Sequence, residues 1–230
     1  MLTLHAADLL IAVPGTAPVP DGAVVVDGDA VAALGPYEEL AAAYPRARVR
    51  RWPGVLTPGL RQWHGTWLLE RAYHPDPREH EELGDRPLTG ERLEALDMTD
   101  ARWAGSVRRG VQQMLRHGTT AVAIGSNPVV ATAVARSGLT VVPALGAPGI
   151  LFEEPNLDPF RNAYGLADAV ASPLTVGGRA DFAVFDVPDV PDVPDAPDVP
   201  DALGEAALLE AGAGTCVATV LAGRLVHRRR

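Results

Sequence analysis

The sequence predicts an α/β protein, and three observations lead to that prediction. Between residues 99 and 145, apolar strands alternate with segments of helical period. Both ends of the chain carry apolar runs separated by short glycine-containing turns, which is typical of antiparallel hairpins. No apolar run reaches the roughly 18 residues that a membrane-spanning helix needs, so we expect a soluble, globular chain.

The first 57 residues predict a small β unit. Residues 23–27 and 30–34 are apolar runs on either side of Gly28-Asp29, so we expect them to form a hairpin. A short helix is expected over residues 36–44, and residues 48–56 return to strand character.

The central segment predicts parallel strands joined by helices. Thr99 or Asp100 is a suitable N-cap for a helix that Gly118 ends. Residues 119–125 form a continuous apolar run of the kind that is buried on both faces of a sheet. A second helix over residues 128–137 leads to a strand over 139–145, and this alternation favours right-handed crossovers.

The last third of the chain returns to β character. We expect strands over residues 180–186 and 216–227, the latter broken by an Ala-Gly-Arg turn. Residues 186–201 between them repeat Pro-Asp with a period of three. Regular proline blocks both helix and sheet, which predicts an extended, self-repelling linker.

The composition excludes several classes of protein. The chain has 230 residues and a net charge of −9, and all 20 of its basic residues are arginine. The absence of lysine excludes a Schiff-base lysine, a P-loop lysine and a carbamylated-lysine metal bridge. The acidic balance and the 5% aromatic content argue against nucleic-acid binding. Cys216 is the only cysteine, so no internal disulfide can form, which favours the cytoplasm.

Two sets of residues are site candidates from their pattern alone. Ser126 and Asn127 lie at a strand-to-helix turn, where helix amides can hold an anion, although both are also ordinary N-cap residues. His74 and the run 79–82 could gather a metal, but their polar, proline-containing surroundings favour a solvated loop over residues 73–94.

Four motifs lie at the junctions between these elements. They are Thr57-Pro58-Gly59-Leu60 followed by His64, Gly118-Thr119-Thr120, Gly177-Gly178-Arg179-Ala180-Asp181-Phe182, and Ala222-Gly223-Arg224-Leu225-Val226. Together they resemble the metal-dependent amidohydrolase superfamily, of the imidazolonepropionase and aminofutalosine deaminase type.

The resemblance implies a composite β-sandwich built from residues 1–57 and 166–230, with a (β/α)₈-barrel domain between its two halves. A complete barrel needs about 250 residues. Residues 58–165 are too few for one, so we expect a truncated, partial TIM-barrel-like unit.

The resemblance also implies a metal site. His64 matches the first metal ligand of the family, and Thr66 occupies the position of the second, which is normally histidine. Zinc or iron would be the metal by resemblance only, since the residues by themselves imply no cofactor. His64 packed between Trp63 and Trp67 as a histidine without a metal is the other interpretation.

Two functional hypotheses follow. By resemblance, the chain is a hydrolase of non-peptide C–N bonds in cyclic amides or amidines, degenerate in its metal site. Alternatively, it is a non-catalytic binding or partner subunit, a pseudoenzyme that self-associates or completes another chain. A small cyclic amide or nucleoside-like molecule is the expected ligand, and neither nucleic acid nor a membrane is expected as a partner.

Overall fold

The structure is a computed structural model that describes residues 2–144, 156–163, 165–187 and 202–229. The first half of the chain forms β1 (Leu2–Leu10), β2 (Val19–Pro20), β3 (Gly22–Asp27), β4 (Ala30–Pro36), α1 (Tyr37–Ala43), β5 (Arg48–Pro58), β6 (Leu60–Gln62), α2 (Gly65–Glu70), α3 (His80–Leu83), α4 (Gly90–Glu94) and α5 (Asp100–Arg116). The second half forms β7 (Thr119–Ala123), α6 (Pro128–Ser137), β8 (Thr140–Val142), α7 (Leu166–Ala169), β9 (Phe182–Phe185), α8 (Ala202–Ala211), β10 (Cys216–Leu221) and β11 (Arg224–Arg228). Short 3₁₀ turns lie at Pro77–Glu79, Pro159–Asn162 and Ala213–Thr215.

Strands from both ends of the chain share one eight-stranded sheet. Its order is β11-β10-β9-β5-β1-β3-β4, and β2 pairs with β1 at the side. The two ends meet where β5 pairs antiparallel with β9, with Val55 opposite Phe185 and Leu56 opposite Val184. All four of these side chains are fully buried, so the join lies in the hydrophobic core.

The predicted elements of the N-terminal segment are confirmed. The β3–β4 hairpin turns at Gly28, whose φ of +62° is easily adopted by glycine, and α1 follows it. The described strands of both ends are hydrogen-bonded into one sheet. The sandwich arrangement and the domain boundaries stay predictions.

A second, smaller sheet carries the central α/β unit. Its three strands lie in the order β6-β7-β8 and all pair in parallel, as the strand–helix alternation predicts. All five residues of β7 are buried, because apolar helix faces cover the sheet. That the unit is part of a truncated barrel stays a prediction.

The helices of the central unit begin and end at the predicted residues. Thr99 caps α5 by accepting a hydrogen bond from the amide of Arg102 at 3.2 Å, and Gly118 follows with a φ of +75°. Asn127 caps α6, and Gly138 ends it in the left-handed conformation. The strand predicted over 139–145 is shorter, because β8 ends at Val142 and residue 145 lies outside the described residues.

The structure also bears on Cys216, on membrane-spanning helices and on the Pro-Asp repeat. Cys216 is buried in the core, and burial raises the pKa of its thiol to about 11. Within the described residues, no helix is long and apolar enough to cross a bilayer. The Pro-Asp repeat lies outside the described residues from position 188 to 201.

Candidate functional site

His64 lies where the chain leaves the first parallel strand. It is the N-cap residue of α2, two positions after the end of β6. Its backbone amide donates to Oε1 of the buried Gln62 at 3.1 Å, and Gln62 Nε2 in turn donates to the carbonyls of Asn156 and Leu157, both at 3.4 Å. These bonds fix the turn that positions His64 at the carboxyl end of the sheet, the edge at which barrel enzymes place their sites.

The imidazole of His64 is half-buried and has an unused nitrogen. Nε2 is buried and has no hydrogen-bond partner in the described part of the chain. Burial lowers the pKa of His64, so the ring is neutral at pH 7 and Nε2 is available to a ligand. The resemblance had pointed to this residue.

Glu70 is a second candidate, one that the sequence analysis missed. Its Oε1 is also buried without a partner. A Cβ added at Gly125, which follows β7, would lie 3.0 Å from this oxygen and 3.6 Å from Thr66 Oγ1. Thr66 and Glu70 therefore share one face of α2 directed at the end of β7. Their i, i+4 spacing after a strand is the signal that could have identified Glu70.

Arg61 and Trp63, which precede His64 in the chain, contact each other and Asp168. The Arg61 guanidinium stacks 3.9 Å from the centre of the Trp63 ring, a cation–π contact. Both side chains donate to the carbonyl of Asp168, Trp63 Nε1 at 3.2 Å and Arg61 Nη2 at 3.3 Å. These contacts fix Trp63 in place, and the packing of His64 between Trp63 and Trp67 stays a prediction.

The residues present do not fit a catalytic metal. A catalytic zinc needs about three protein ligands and an open position for water. Thr66 provides a neutral hydroxyl where the family has histidine, and the described residues contain no group of three His, Cys, Asp or Glu side chains able to hold a metal ion.

Ser126 and Asn127 lie at the same edge of the small sheet, after β7. Asn127 Oδ1 accepts hydrogen bonds from the amides of Val129 at 3.0 Å and Val130 at 3.4 Å. These are the amides that an anion would use, and the cap already satisfies them. Ser126 is exposed. Ligand binding at this turn stays a prediction.

The segment 73–94 differs from the predicted solvated loop at His74. This residue is only 4% exposed, and its Nε2 donates to the carbonyl of Leu68 at 2.9 Å. Burial lowers its pKa. The solvated-loop interpretation is therefore wrong for His74, because the apolar residues around it, not its polar sequence neighbours, decide its position.

Glu79 forms a hydrogen bond with Tyr73 and an ion pair with Arg102. It accepts from the Tyr73 hydroxyl at 2.5 Å and pairs with Arg102 at 2.7 Å. His80, Glu81 and Glu82 are exposed. The hydrogen bonds to Tyr73 and Arg102 hold the pKa of Glu79 below its usual range, although burial alone would raise it.

One family model matches part of the chain. Residues 22–47 match the model described as "Imidazolonepropionase-like composite domain, bacteria", which corresponds to β3, β4 and α1. Among curated protein sequences, none matches this chain.

Several solved structures are similar in fold. E. coli guanine deaminase is 11% identical, with a TM-score of 0.61 over 100% of each chain. A. niger ochratoxinase is 22% identical over 67% of this chain and 35% of its own, with a TM-score of 0.43. Helicobacter pylori aminofutalosine deaminase is 17% identical over 62% of this chain and 33% of its own, also with a TM-score of 0.43.

These matches differ in what they establish. The chain spans about a third of the length of the ochratoxinase and the aminofutalosine deaminase. At these sequence identities, the similarity concerns the fold alone. The guanine deaminase, with a TM-score of 0.61, is the structure that supports it. The composite-domain match confirms the predicted resemblance to an imidazolonepropionase-like protein over residues 22–47, and the guanine deaminase match concerns the fold.

Proposed function

We propose that this chain is an amidohydrolase-like protein that keeps the scaffold of a hydrolase of non-peptide C–N bonds and does not hydrolyse them on its own. One observation carries the proposal: His64 has the position of a first metal ligand, but Thr66 follows where a second ligand is needed. Without about three ligands, no metal is held that could lower the pKa of a bound water to near neutrality.

The same site is suited to binding a small polar molecule. His64 Nε2 and Glu70 Oε1 are buried polar atoms without hydrogen-bond partners among the described residues, and each costs free energy in the unliganded protein. A ring N–H of a cyclic amide or nucleoside-like molecule could donate to Glu70 Oε1, and His64 Nε2 could donate to or accept from such a molecule according to its tautomer. Trp63, the residue before His64, has an aromatic ring that already stacks with one cationic group, Arg61, and aromatic rings of this kind also stack with flat ligands.

A binding assay paired with a hydrolysis assay tests this proposal. Cyclic amides, imidazole compounds and nucleosides are screened by thermal shift, with and without added Zn²⁺ or Fe²⁺. We expect a stabilising ligand whose effect falls in His64→Ala and Glu70→Gln, and no product. Product formation that requires His64 would overturn the proposal, and so would the absence of any stabilising compound in the screen.

The partner-subunit role is a second candidate, favoured by the edge of the small sheet. Within the described residues, β8 has a strand partner only on its β7 side. Val141 in β8 is 54% exposed, which is unusual for a valine in a parallel strand. We propose that a second copy of the chain covers this edge.

Light scattering decides the oligomeric state. We expect at least twice the chain mass of 24.2 kDa for the wild type and dissociation in Val141→Arg. Val176→Arg is the matched control, because Val176 is 66% exposed and lies outside the strands. A monomeric wild type, or equal dissociation in both variants, would contradict self-association.

A further inference from the structure

A cavity of about 620 Å³ lies between the second half of α5 and the segment 74–87, and its lining is basic. Three arginines and three histidines line it: Arg86, Arg109, Arg116, His74, His80 and His117. Among the described lining residues, Asp85 is the only carboxylate. The three arginine charges against one lining carboxylate are a local excess of positive charge in a chain with a net charge of −9.

One face of α5 supplies most of the hydrogen-bond donors. Arg109, Gln112, Gln113 and Arg116 follow one another at the i, i+3, i+4 and i+7 positions of a single helical face, and all four line the cavity. Arginine and glutamine side chains both present N–H donors. This pattern is a row of donors along one wall.

The arginines differ in how they are held. Arg109 is fixed, since its Nε donates to the His74 carbonyl at 2.8 Å and its Nη1 pairs with Asp76 at 3.3 Å. Asp76 thus offsets part of its charge. Arg86 and Arg116 are exposed and have no hydrogen bond or ion pair with any other described residue. Their charges are the ones available to a ligand.

His117 adds a further polar group. Its Nδ1 lies 2.8 Å from the carbonyl of Gln113, which can only accept, so Nδ1 carries a hydrogen. The segment 74–87 contributes Pro75, Pro77 and Pro87 to the lining, and proline restricts the backbone there. The cavity is separate from the candidate site, since neither His64 nor Thr66 lines it.

We infer that this cavity binds a small molecule bearing a phosphate group. Arginine side chains match the charge and the oxygen geometry of phosphate. The volume lies in the range of small-molecule sites, which leaves space for an organic body besides the phosphate. The negative net charge of the whole chain disfavours a polyanion such as nucleic acid.

Titration of pyrophosphate by isothermal calorimetry tests the inference on the full chain. We expect saturable, one-to-one binding with a Kd below about 1 mM. Arg86→Gln and Arg116→Gln should each raise the Kd about tenfold, as expected for loss of a charge-assisted hydrogen bond. Arg108→Gln is the matched control: it removes the same charge from the same helix, but Arg108 is exposed and lines a different groove.

Three results would overturn the inference. The first is no saturable binding of pyrophosphate. The second is an equal loss in Arg108→Gln, which would mean that only the overall charge matters. The third is citrate binding as tightly as pyrophosphate, which would mean that the cavity accepts anions without selecting phosphate. Unchanged thermal unfolding of the variants confirms that they remain folded.

Discussion

At the residue scale, burial keeps His5 neutral in the folded protein. His5 is 2% exposed, and its Nδ1 accepts a hydrogen bond from Trp52 Nε1 at 3.2 Å. Indole N–H can only donate, so Nδ1 carries no hydrogen in the folded state. Burial, aided by the charge of Arg50, lowers the pKa of His5 to about 3.

This shift predicts a loss of stability in mild acid. Above pH 6.5, His5 is neutral in both states and has no effect. Between pH 6.5 and about pH 3, His5 is protonated in the unfolded chain but stays neutral in the folded chain. The free energy of unfolding therefore falls by up to about 1.4 kcal/mol for each pH unit in this range. His5→Gln keeps an acceptor for Trp52 and does not titrate.

Urea unfolding at pH 7 and pH 5 measures the difference. We expect the wild type to lose about 2 kcal/mol more than His5→Gln over this interval. Equal losses in both proteins would show that the pKa of His5 is not displaced by folding.

At the element scale, two glycines of α5 face different surroundings. A Cβ at Gly110 would lie 2.7 Å from both His74 Nε2 and Leu69 Cδ2. His74 cannot move away easily, because its Nε2 is hydrogen-bonded to the carbonyl of Leu68. A Cβ at Gly105 would lie 3.0 Å from Arg109 Nη1, the far end of a long side chain, whose 3.3 Å ion pair with the partly exposed Asp76 can shift by a few tenths of an ångström.

The two alanine variants should therefore differ in their effect on the free energy of unfolding. Gly110→Ala is expected to destabilise the fold by about 1–3 kcal/mol through overpacking. Gly105→Ala should range from neutral to about 1 kcal/mol more stable, because alanine favours a helix. Thermal unfolding of the pair checks this, and similar behaviour of both would contradict the described packing of α5.

Elements were more predictable than the site. The helices α5 and α6 have caps, periodic apolar residues and terminating glycines, all of which are local signals. His74 has no such signal, and the i, i+4 spacing of Thr66 and Glu70 indicates a shared helix face but not the burial of Glu70 Oε1. That burial depends on Gly125 after β7, and the burial of His74 depends on Gly110 of α5, so both are decided by tertiary structure.

At the scale of the whole molecule, β5 pairs with β1 on one side and with β9 on the other, and a β-bulge interrupts its pairing with β1. Trp52 lies opposite Ala7 and Val55 opposite Leu9, so Pro53 and Gly54 share the place of one residue opposite Asp8. The Asp8 carboxylate accepts from the Gly54 amide at 2.6 Å. Beyond the bulge, β5 pairs with β9 of the C-terminal segment.

Gly54 should be sensitive for this reason. It has a φ of +74°, and an added Cβ would overlap the carbonyl oxygen of Phe185 in β9. Gly15→Ala is the control, since Gly15 has a φ of +75° but no atom within 4 Å of an added Cβ. We expect Gly54→Ala to cost at least about 1 kcal/mol more than the control, measured by urea unfolding. Equal costs would contradict the close approach of the two ends.

The most direct test of the central claim is the metal content of the purified chain after exposure to Zn²⁺ or Fe²⁺, measured by elemental analysis for the wild type and His64→Ala. The account predicts far less than one metal ion per chain, with no difference between the two proteins, because Thr66 leaves His64 without a second ligand. One metal ion per wild-type chain that is lost in His64→Ala would contradict it.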